Sequence, residues 1–345
     1  MLPGMSRRRE SSLHLGVAEK QFPARLRAGI FARGTHDVTT AQDIRPVRWH
    51  IAVFLAPALL IYSAVMVFPL AATLYQSFFS EVDNQTVFVG LANYVTLFGN
   101  AVWSTTFWNA LGNNIWFFAI HMLLQNPVGI LLAALLANPR LRFRGFYRAS
   151  IFLPSILSFV IVAMVWRLIL SPTWGIAPDF MELIGLRHLF QPWLGKEAYA
   201  LTTLSLISFW QFLGLPMMLI YAALLSIPDE VIDAAECDGI VGWSQFFRIQ
   251  IPLILPTIGI VSILTFVGTF QGFELVYVSQ SAMAGPDFST DLLGTFLFRT
   301  FFGVQLQAGN LTMGATLATV IFLIILTCVV IYLAFVQSRL RRYQF

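Results

Sequence analysis

Polar and aromatic side chains stand at helical spacing inside two long apolar stretches, residues 201–225 and 256–279. Thr265, Thr269 and Gly272 are spaced i, i+4, i+7 and therefore share one helix face. Polar groups among aromatic rings are typical of a binding site for a small solute, although each residue taken alone also fits helix packing or a membrane-interface belt. The predicted solute-binding residues are Trp210, Gln211, Gly214, Met217, Thr265, Thr269, Gln271, Gly272, Glu274 and Tyr277.

Glu274 and His121 are ionisable residues within apolar stretches. A carboxylate at such a position is costly unless it is paired or hydrated, so Glu274 is a candidate functional residue. His121 lies near Asn113, Asn114 and Gln125 in the second apolar stretch. Either a proton relay or a hydrogen bond within a helix bundle fits this histidine.

An acidic segment at residues 227–252 separates the two apolar stretches. Asp229 and Glu230 follow Pro228, so the acids occupy a first helical turn, where the helix dipole favours them. Gly239 can end this helix in a left-handed conformation. An ordinary solvated loop would explain the charge but not the fixed glycine and proline. The predicted partner-docking residues are Asp233, Ala234, Ala235, Glu236, Asp238, Gly239 and Pro252.

The composition indicates a membrane protein that could position these residues. Apolar residues make up 57% of the 345 and charged residues 11%, with a mean hydropathy of +0.74. A helix that crosses a hydrocarbon core of ~30 Å needs about 20 residues. We predict an all-α polytopic fold with six transmembrane helices, kinked by internal prolines. The predicted helices are 49–79, 107–137, 149–170, 201–225, 256–279 and 313–336.

The distribution of lysine and arginine predicts the orientation of the helices. Most of these residues fall in 1–48, in the loop after the second helix, at Arg248 and in the tail 339–345. Both termini and the acidic segment are therefore predicted to be cytoplasmic. Residues 1–48 form a basic extension for which contact with lipid headgroups is the favoured role and regulatory contact with a partner the alternative. Residues 49–338 form the membrane domain.

Motifs for catalysis are missing from the sequence. A phosphate-binding P-loop needs lysine after glycine and before serine or threonine, and neither Lys20 nor Lys196 has this context. The five histidines are scattered without metal-ligand spacing. Cys237 and Cys328 are not expected to pair. We therefore predict that the chain is not an enzyme and binds no metal or cofactor.

The acidic segment resembles a known signature. Its spacing from Asp233 to Pro252 is D-A-A-x3-G-x9-I-x-I-P, and the EAA motif of binding-protein-dependent ABC importer permeases is E-A-A-x3-G-x9-I-x-L-P. Every interval matches, and Asp233 and Ile251 are the two departures. Residues 88–94, 109–114 and 310–318 resemble further stretches of carbohydrate-importer permeases. About residues 50–340 are similar to the maltose-transporter permease family, and the N-terminal extension favours its first-subunit type.

The resemblance implies a type I ABC importer fold in the bacterial inner membrane, with a cytoplasmic coupling helix that docks on an ATPase. The implied partners are a second permease subunit in a heterodimer, two ATPase subunits that hold ATP and Mg²⁺, and a periplasmic solute-binding protein. Nucleic acid is not among them. By alignment, Gly214, Met217, Thr265, Thr269 and Gly272 fall at sugar-contacting positions.

Two other classes of function stay open at this point. An ion-gradient transporter would need a dense intramembrane relay, for which only Glu274 and His121 offer material. An intramembrane enzyme or scaffold subunit would not need the EAA spacing. The solute remains open among saccharides, polyols and glycerol phosphate, and the lack of a basic cluster at the presumed site argues against a phosphorylated one.

Overall fold

The computed structural model describes residues 49–82, 85–304 and 308–334. The chain divides into two compact units, Met1–Ala58 and Leu59–Phe345. The predicted extension 1–48 and tail 339–345 lie outside the described residues, as does the end of the predicted sixth helix.

The N-terminal half of the described chain combines long helices with one short hairpin. Strands β1 and β2 pair antiparallel, with Phe79 opposite Phe88. The elements are α1 (Trp49–Tyr62), a π turn (Ser63–Val67), α2 (Phe68–Gln76), β1 (Phe79–Val82), β2 (Gln85–Phe88), α3 (Ala92–Gly99), α4 (Ala101–Ile120), a π turn (His121–Gln125), α5 (Asn126–Ala137), α6 (Arg144–Phe152), a 3-10 turn (Leu153–Ile156) and α7 (Phe159–Ile169).

The C-terminal half contains the remaining helices. They are α8 (Ile176–Leu183), a 3-10 turn (Arg187–Leu189), α9 (Glu197–Phe212), α10 (Gly214–Leu225), α11 (Asp229–Cys237), α12 (Trp243–Gln245), a π turn (Phe246–Gln250), α13 (Ile251–Phe270), α14 (Glu274–Gln280), α15 (Leu293–Phe302) and α16 (Leu311–Tyr332).

These helices give up to six membrane spans within the described residues, by length and composition. Four of them are continuous helices, and the third and fourth, predicted as kinked helices, are helix pairs bent by 97° and 41°. The predicted all-α membrane fold is confirmed. The continuous spans are Val53–Gln76, Ala101–Ala137, Trp243–Gln280 and Leu311–Tyr332, and the bent pairs are Arg144–Ile156 with Phe159–Ile169 and Glu197–Phe212 with Gly214–Leu225.

Prolines account for three π turns. Pro69, Pro127 and Pro252 each occupy the second position of the helix that follows such a turn. Proline has no N–H to donate, and its ring clashes with the carbonyl four residues earlier. A wider π turn removes this conflict without ending the helix. The spans therefore stay continuous while the residues before each proline are rotated.

The two bent spans meet at their breaks. The Ser155 hydroxyl donates to the Gln211 carbonyl at 2.8 Å, and the Gln211 side-chain amide donates to the Leu157 carbonyl at 3.0 Å. Gly214 allows this approach, because a Cβ there would lie 2.7 Å from the Cα of Phe152. Side-chain hydrogen bonds thus satisfy carbonyl groups beside the breaks.

Substituting Gly214 by alanine is expected to lower the free energy of unfolding by about 1–3 kcal/mol, because the new methyl group overlaps backbone atoms. The thermal unfolding midpoint of the purified protein in detergent measures this. Gly112→Ala is the matched control, since nothing lies within 4 Å of a Cβ at Gly112. An equal shift of the midpoint in both variants would contradict the close-packing argument.

A buried ion pair fixes the segment between α14 and α15. The Arg299 guanidinium lies 2.6 Å from the Asp291 carboxylate, and their side chains are 8% and 0% exposed. Arg299 also donates to the Ala282 carbonyl at 2.9 Å, and Thr295 donates to Asp291 at 2.6 Å. Burial raises the pKa of the Asp291 carboxyl, and the contacts from Arg299 and Thr295 oppose that rise.

Candidate functional site

A cavity of about 380 Å³ lies between the second to fifth spans. This volume is within the range of small-molecule sites. Aromatic and aliphatic side chains form most of its wall, with a few polar groups. The lining residues are Phe117, His121, Gln125, Phe159, Ser208, Phe212, Leu215, Pro216, Leu219, Val261, Leu264, Thr265, Gly268, Thr269, Gln271, Gly272, Phe273, Glu274, Leu275, Val276 and Leu292.

Half of the predicted solute-binding residues line this cavity, namely Thr265, Thr269, Gln271, Gly272 and Glu274. All five belong to the fifth span. Gln271 and Glu274 are exposed, and they flank the short interruption between α13 and α14. The helix face predicted from the i, i+4, i+7 spacing therefore forms one wall.

The other five predicted residues lie elsewhere. Gln211 and Gly214 are at the break of the fourth span, and Met217 is fully buried in the core. The Trp210 ring packs against Trp166, with centroids 5.6 Å apart. Tyr277 stacks on Phe273, with centroids 5.0 Å apart.

Sequence reasoning did not assign Gln125 and Ser208 to the cavity and left His121 undecided. The π turn that Pro127 induces carries His121 and Gln125, which are 3% and 4% exposed, into the wall. Two polar residues in the turn before a proline of an apolar helix are the signal that could have indicated this. π turns occur often at functional sites.

His121 is hydrogen-bonded through both ring nitrogens. Its Nδ1 lies 2.8 Å from the Phe117 carbonyl, and its Nε2 lies 3.0 Å from the Ser208 hydroxyl. A carbonyl only accepts, so Nδ1 carries the proton. In the neutral ring Nε2 therefore accepts from Ser208. These contacts place the histidine within the bundle as the link between the second and fourth spans.

Asn114 links three elements beside the cavity. Its amide nitrogen donates to the Thr269 carbonyl at 3.0 Å, and its oxygen accepts from the Leu293 backbone N–H at 2.7 Å. The side chain is fully buried. These two hydrogen bonds hold Thr269 in the cavity wall, and the start of α15, against α4.

The acidic segment forms a separate surface on α11. Ala235 is 5% exposed and anchors the helix, whereas Asp233, Ala234, Glu236 and Asp238 are exposed. Gly239 has φ +76°, and the Ile240 N–H donates to the Ala235 carbonyl at 2.8 Å. This left-handed C-terminal cap is the one predicted for Gly239. Pro252 lies apart from this surface, at the start of α13.

Exposed apolar side chains adjoin the acidic helix, and sequence reasoning missed them. Val241, Trp243 and Phe247 are 58%, 54% and 63% exposed, and the Trp243 and Phe247 rings stack with centroids 6.0 Å apart. We call the exposed acids of α11, its C-cap Asp238 and these three residues the docking surface, after the partner contact predicted from the sequence. The available signal was a group of apolar residues directly after the acidic helix, at the start of the helical stretch Trp243–Gln280 that forms the fifth span.

The described residues contain no cluster of three His, Cys, Asp or Glu side chains that could hold a metal ion. Both cysteines are free thiols.

Comparison with known proteins identifies the family. Residues 125–342 match the model of the binding-protein-dependent transport system inner membrane component. The chain belongs to this family. The probable ABC transporter permease protein YurN of Bacillus subtilis (strain 168) is 30% identical over 83% of this chain and 95% of its own length. The lactose transport system permease protein LacF of Rhizobium radiobacter is 29% identical over 84% and 94%.

Solved structures show the same fold. A bacterial alginate ABC transporter, in complex with a periplasmic protein that holds an alginate pentasaccharide, contains a chain with a TM-score of 0.70 and 21% identity. The match covers 82% of the permease and 92% of that chain. The predicted identity as an ABC importer permease, with ATP hydrolysis on separate subunits, is confirmed over the ion-gradient alternative. The permease is a multi-pass membrane protein.

Proposed function

We propose that the permease passes a sugar or related polyhydroxylated solute across the bacterial inner membrane. The observation that carries this proposal is the cavity, which the predicted polar face Thr265, Thr269 and Gly272 lines together with aromatic rings such as Phe117 and Phe212. Polar side chains of this kind hydrogen-bond the hydroxyl groups of a sugar, and aromatic rings stack on its apolar faces. The relatives named as lactose and alpha-glucoside transport permeases support this solute class.

A periplasmic binding protein delivers the solute in this proposal, and two ATPase subunits drive its passage. ATP and Mg²⁺ bind on those subunits, and the permease holds no cofactor. The docking surface transmits their closure to the spans, which rock to open the cavity to one side and then the other. The exposure of Gln271 and Glu274 supports a second permease subunit that completes the pathway, and the family resemblance favours a different chain for it.

The predicted residues outside the cavity have roles in this scheme. Trp210 and Tyr277 contact the solute along the pathway. Gln211, Gly214 and Met217 pack behind the cavity wall and support it. The positive charges on residues 1–48, the loop before α6 and the tail support a cytoplasmic location for both termini and the docking surface.

ATPase activity of the reconstituted complex tests the proposal. Loaded binding protein is expected to stimulate hydrolysis and solute uptake together. Glu236→Lys is expected to reduce both at least ten-fold while the subunits stay assembled, because it reverses an exposed charge on the docking surface. Glu182→Lys makes the same change on the exposed face of α8 and should retain both activities. Uptake that follows an ion gradient without ATP would overturn the proposal.

A further inference from the structure

A buried amide in the cavity wall lacks a partner. The Gln125 side-chain oxygen makes no hydrogen bond to any described residue, although the residue is only 4% exposed. Most buried polar atoms in folded proteins are paired, and an unpaired one carries a free-energy cost. Gln125 lines the cavity. A solute that enters the cavity is thus the available source of the missing donor.

Ser208 presents a second acceptor. Its hydroxyl hydrogen points to His121 Nε2, 3.0 Å away, because Nδ1 of the neutral ring is already the donor to the Phe117 carbonyl. A hydroxyl that has donated its hydrogen keeps acceptor lone pairs. The oxygen of Ser208 can therefore accept a hydrogen bond from the solute but cannot donate one.

Thr265 and Thr269, the two threonines that line the cavity, can likewise accept a hydrogen bond from the solute but cannot donate one. Thr265 Oγ1 lies 2.9 Å from the Val261 carbonyl and 3.1 Å from the Asn126 amide oxygen. Thr269 Oγ1 lies 2.9 Å from the Thr265 carbonyl. All of these neighbours only accept, so each threonine uses its single hydrogen within the protein.

We propose that this acceptor-rich wall selects neutral or amine-bearing saccharides and excludes acidic ones, with Gln125 as a specificity-determining residue. This inference rests on the proposed function. Gln125, Ser208, Thr265 and Thr269 offer oxygen lone pairs to the solute's O–H and N–H groups. Glu274 is the one carboxylate among the described lining residues, which include no lysine or arginine, and its negative charge repels a carboxylate or phosphate. Side-chain donors are confined to the amide nitrogens of Gln125 and Gln271.

Isothermal titration of the nucleotide-free complex without binding protein tests the charge selection. The probes are cellobiose, the glucosamine disaccharide and digalacturonate, which all contain two hexose-sized rings and differ in charge. Cellobiose and the glucosamine disaccharide are expected to bind at least ten-fold more tightly than digalacturonate. Equal or tighter binding of digalacturonate would overturn the inference.

Variants of Gln125 test its role. Gln125→Leu is expected to weaken cellobiose binding about ten-fold, as loss of one buried hydrogen bond does. Gln125→Glu keeps an acceptor oxygen and adds charge, so the affinity ratio of the glucosamine disaccharide to cellobiose should rise. A purely structural role would leave that ratio unchanged. Gln280→Leu removes the same amide outside the cavity, where it donates to the Leu194 carbonyl, and should leave both affinities unchanged.

The two proposals fail in different ways. If loaded binding protein stimulates ATP hydrolysis but none of the three disaccharides binds the complex, the acceptor-wall inference is wrong and the proposed transport function stands. If Gln125→Leu binds cellobiose like the wild type, Gln125 has no role in specificity. If no loaded binding protein stimulates hydrolysis, the proposed function itself is wrong.

Discussion

Replacing Arg299 by methionine is expected to destabilise the permease by about 3–5 kcal/mol, the usual result of leaving one charge of a buried pair alone. The Asp291 carboxylate is fully buried and, among the described residues, would keep the Thr295 hydroxyl as its one side-chain donor. The thermal unfolding midpoint in detergent at pH 8 measures the loss. Arg167→Met removes an exposed arginine and should shift the midpoint little.

The loss of stability in the Arg299→Met variant should depend on pH in a defined direction. Arg299 lowers the pKa of the Asp291 carboxyl against the effect of burial, so its removal lets that pKa rise further. The folded variant then binds a proton that the unfolded chain has already released, and its stability increases as pH falls through the raised pKa. The difference from wild type should be smaller at pH 5 than at pH 8. A difference that grows on acidification would contradict this account.

The double variant Asp291→Leu, Arg299→Met separates pairing from packing. Replacing both charges by apolar groups of similar volume removes the uncompensated carboxylate. We expect this variant to unfold at a higher temperature than Arg299→Met alone. A double variant as unstable as the single one would show that the Arg299 contacts with Ala282 or the Phe288 ring, rather than the ion pair, carry the stability.

Truncating Trp243 to alanine is expected to weaken ATPase-subunit binding by at least 2 kcal/mol, about 30-fold in the dissociation constant. Trp243 is a large ring, 54% exposed, that stacks on Phe247 beside the acidic helix. Aromatic anchors of this kind dominate interfaces, whereas rim charges contribute less. Titration of labelled ATPase subunit into the purified permease pair measures the constant.

Two controls define the role of Trp243. Trp243→Phe keeps an aromatic anchor and should bind the ATPase subunit within a few-fold of wild type. Trp174→Ala removes a tryptophan that is 85% exposed in the segment between α7 and α8, away from the docking surface, and should have no effect. Unchanged binding by Trp243→Ala would show that Trp243 is not an anchor of the docking surface.

The sequence predicted features that depend on local pattern. Runs of about 20 apolar residues indicate spans, because the bilayer imposes their length. The spacing from Asp233 to Pro252 identified the family, and Gly239 indicated the helix end through its left-handed conformation. Each of these signals acts within a few turns of chain, so none needed knowledge of the packing.

Features that depend on contacts between distant segments were not predicted. The cavity wall needs the π turn at His121–Gln125 to face Ser208, 87 residues later than His121. Met217 is similar in sequence context to a pathway residue, yet it is completely buried in a core cluster with residues of α5 and α13. The 97° bend of the third span depends on Gln211 of the fourth span, and no local pattern around Leu157 specifies that partner.

The paired breaks also bear on how the chain enters the membrane during synthesis. The Leu157 carbonyl has its donor in Gln211, and the Gln211 carbonyl has its donor in Ser155, at separations of 54 and 56 residues. An unsatisfied backbone group in lipid costs several kcal/mol. The third span therefore cannot adopt its bent form in lipid until the fourth has emerged from the ribosome. The two segments reach their final shape as one insertion unit.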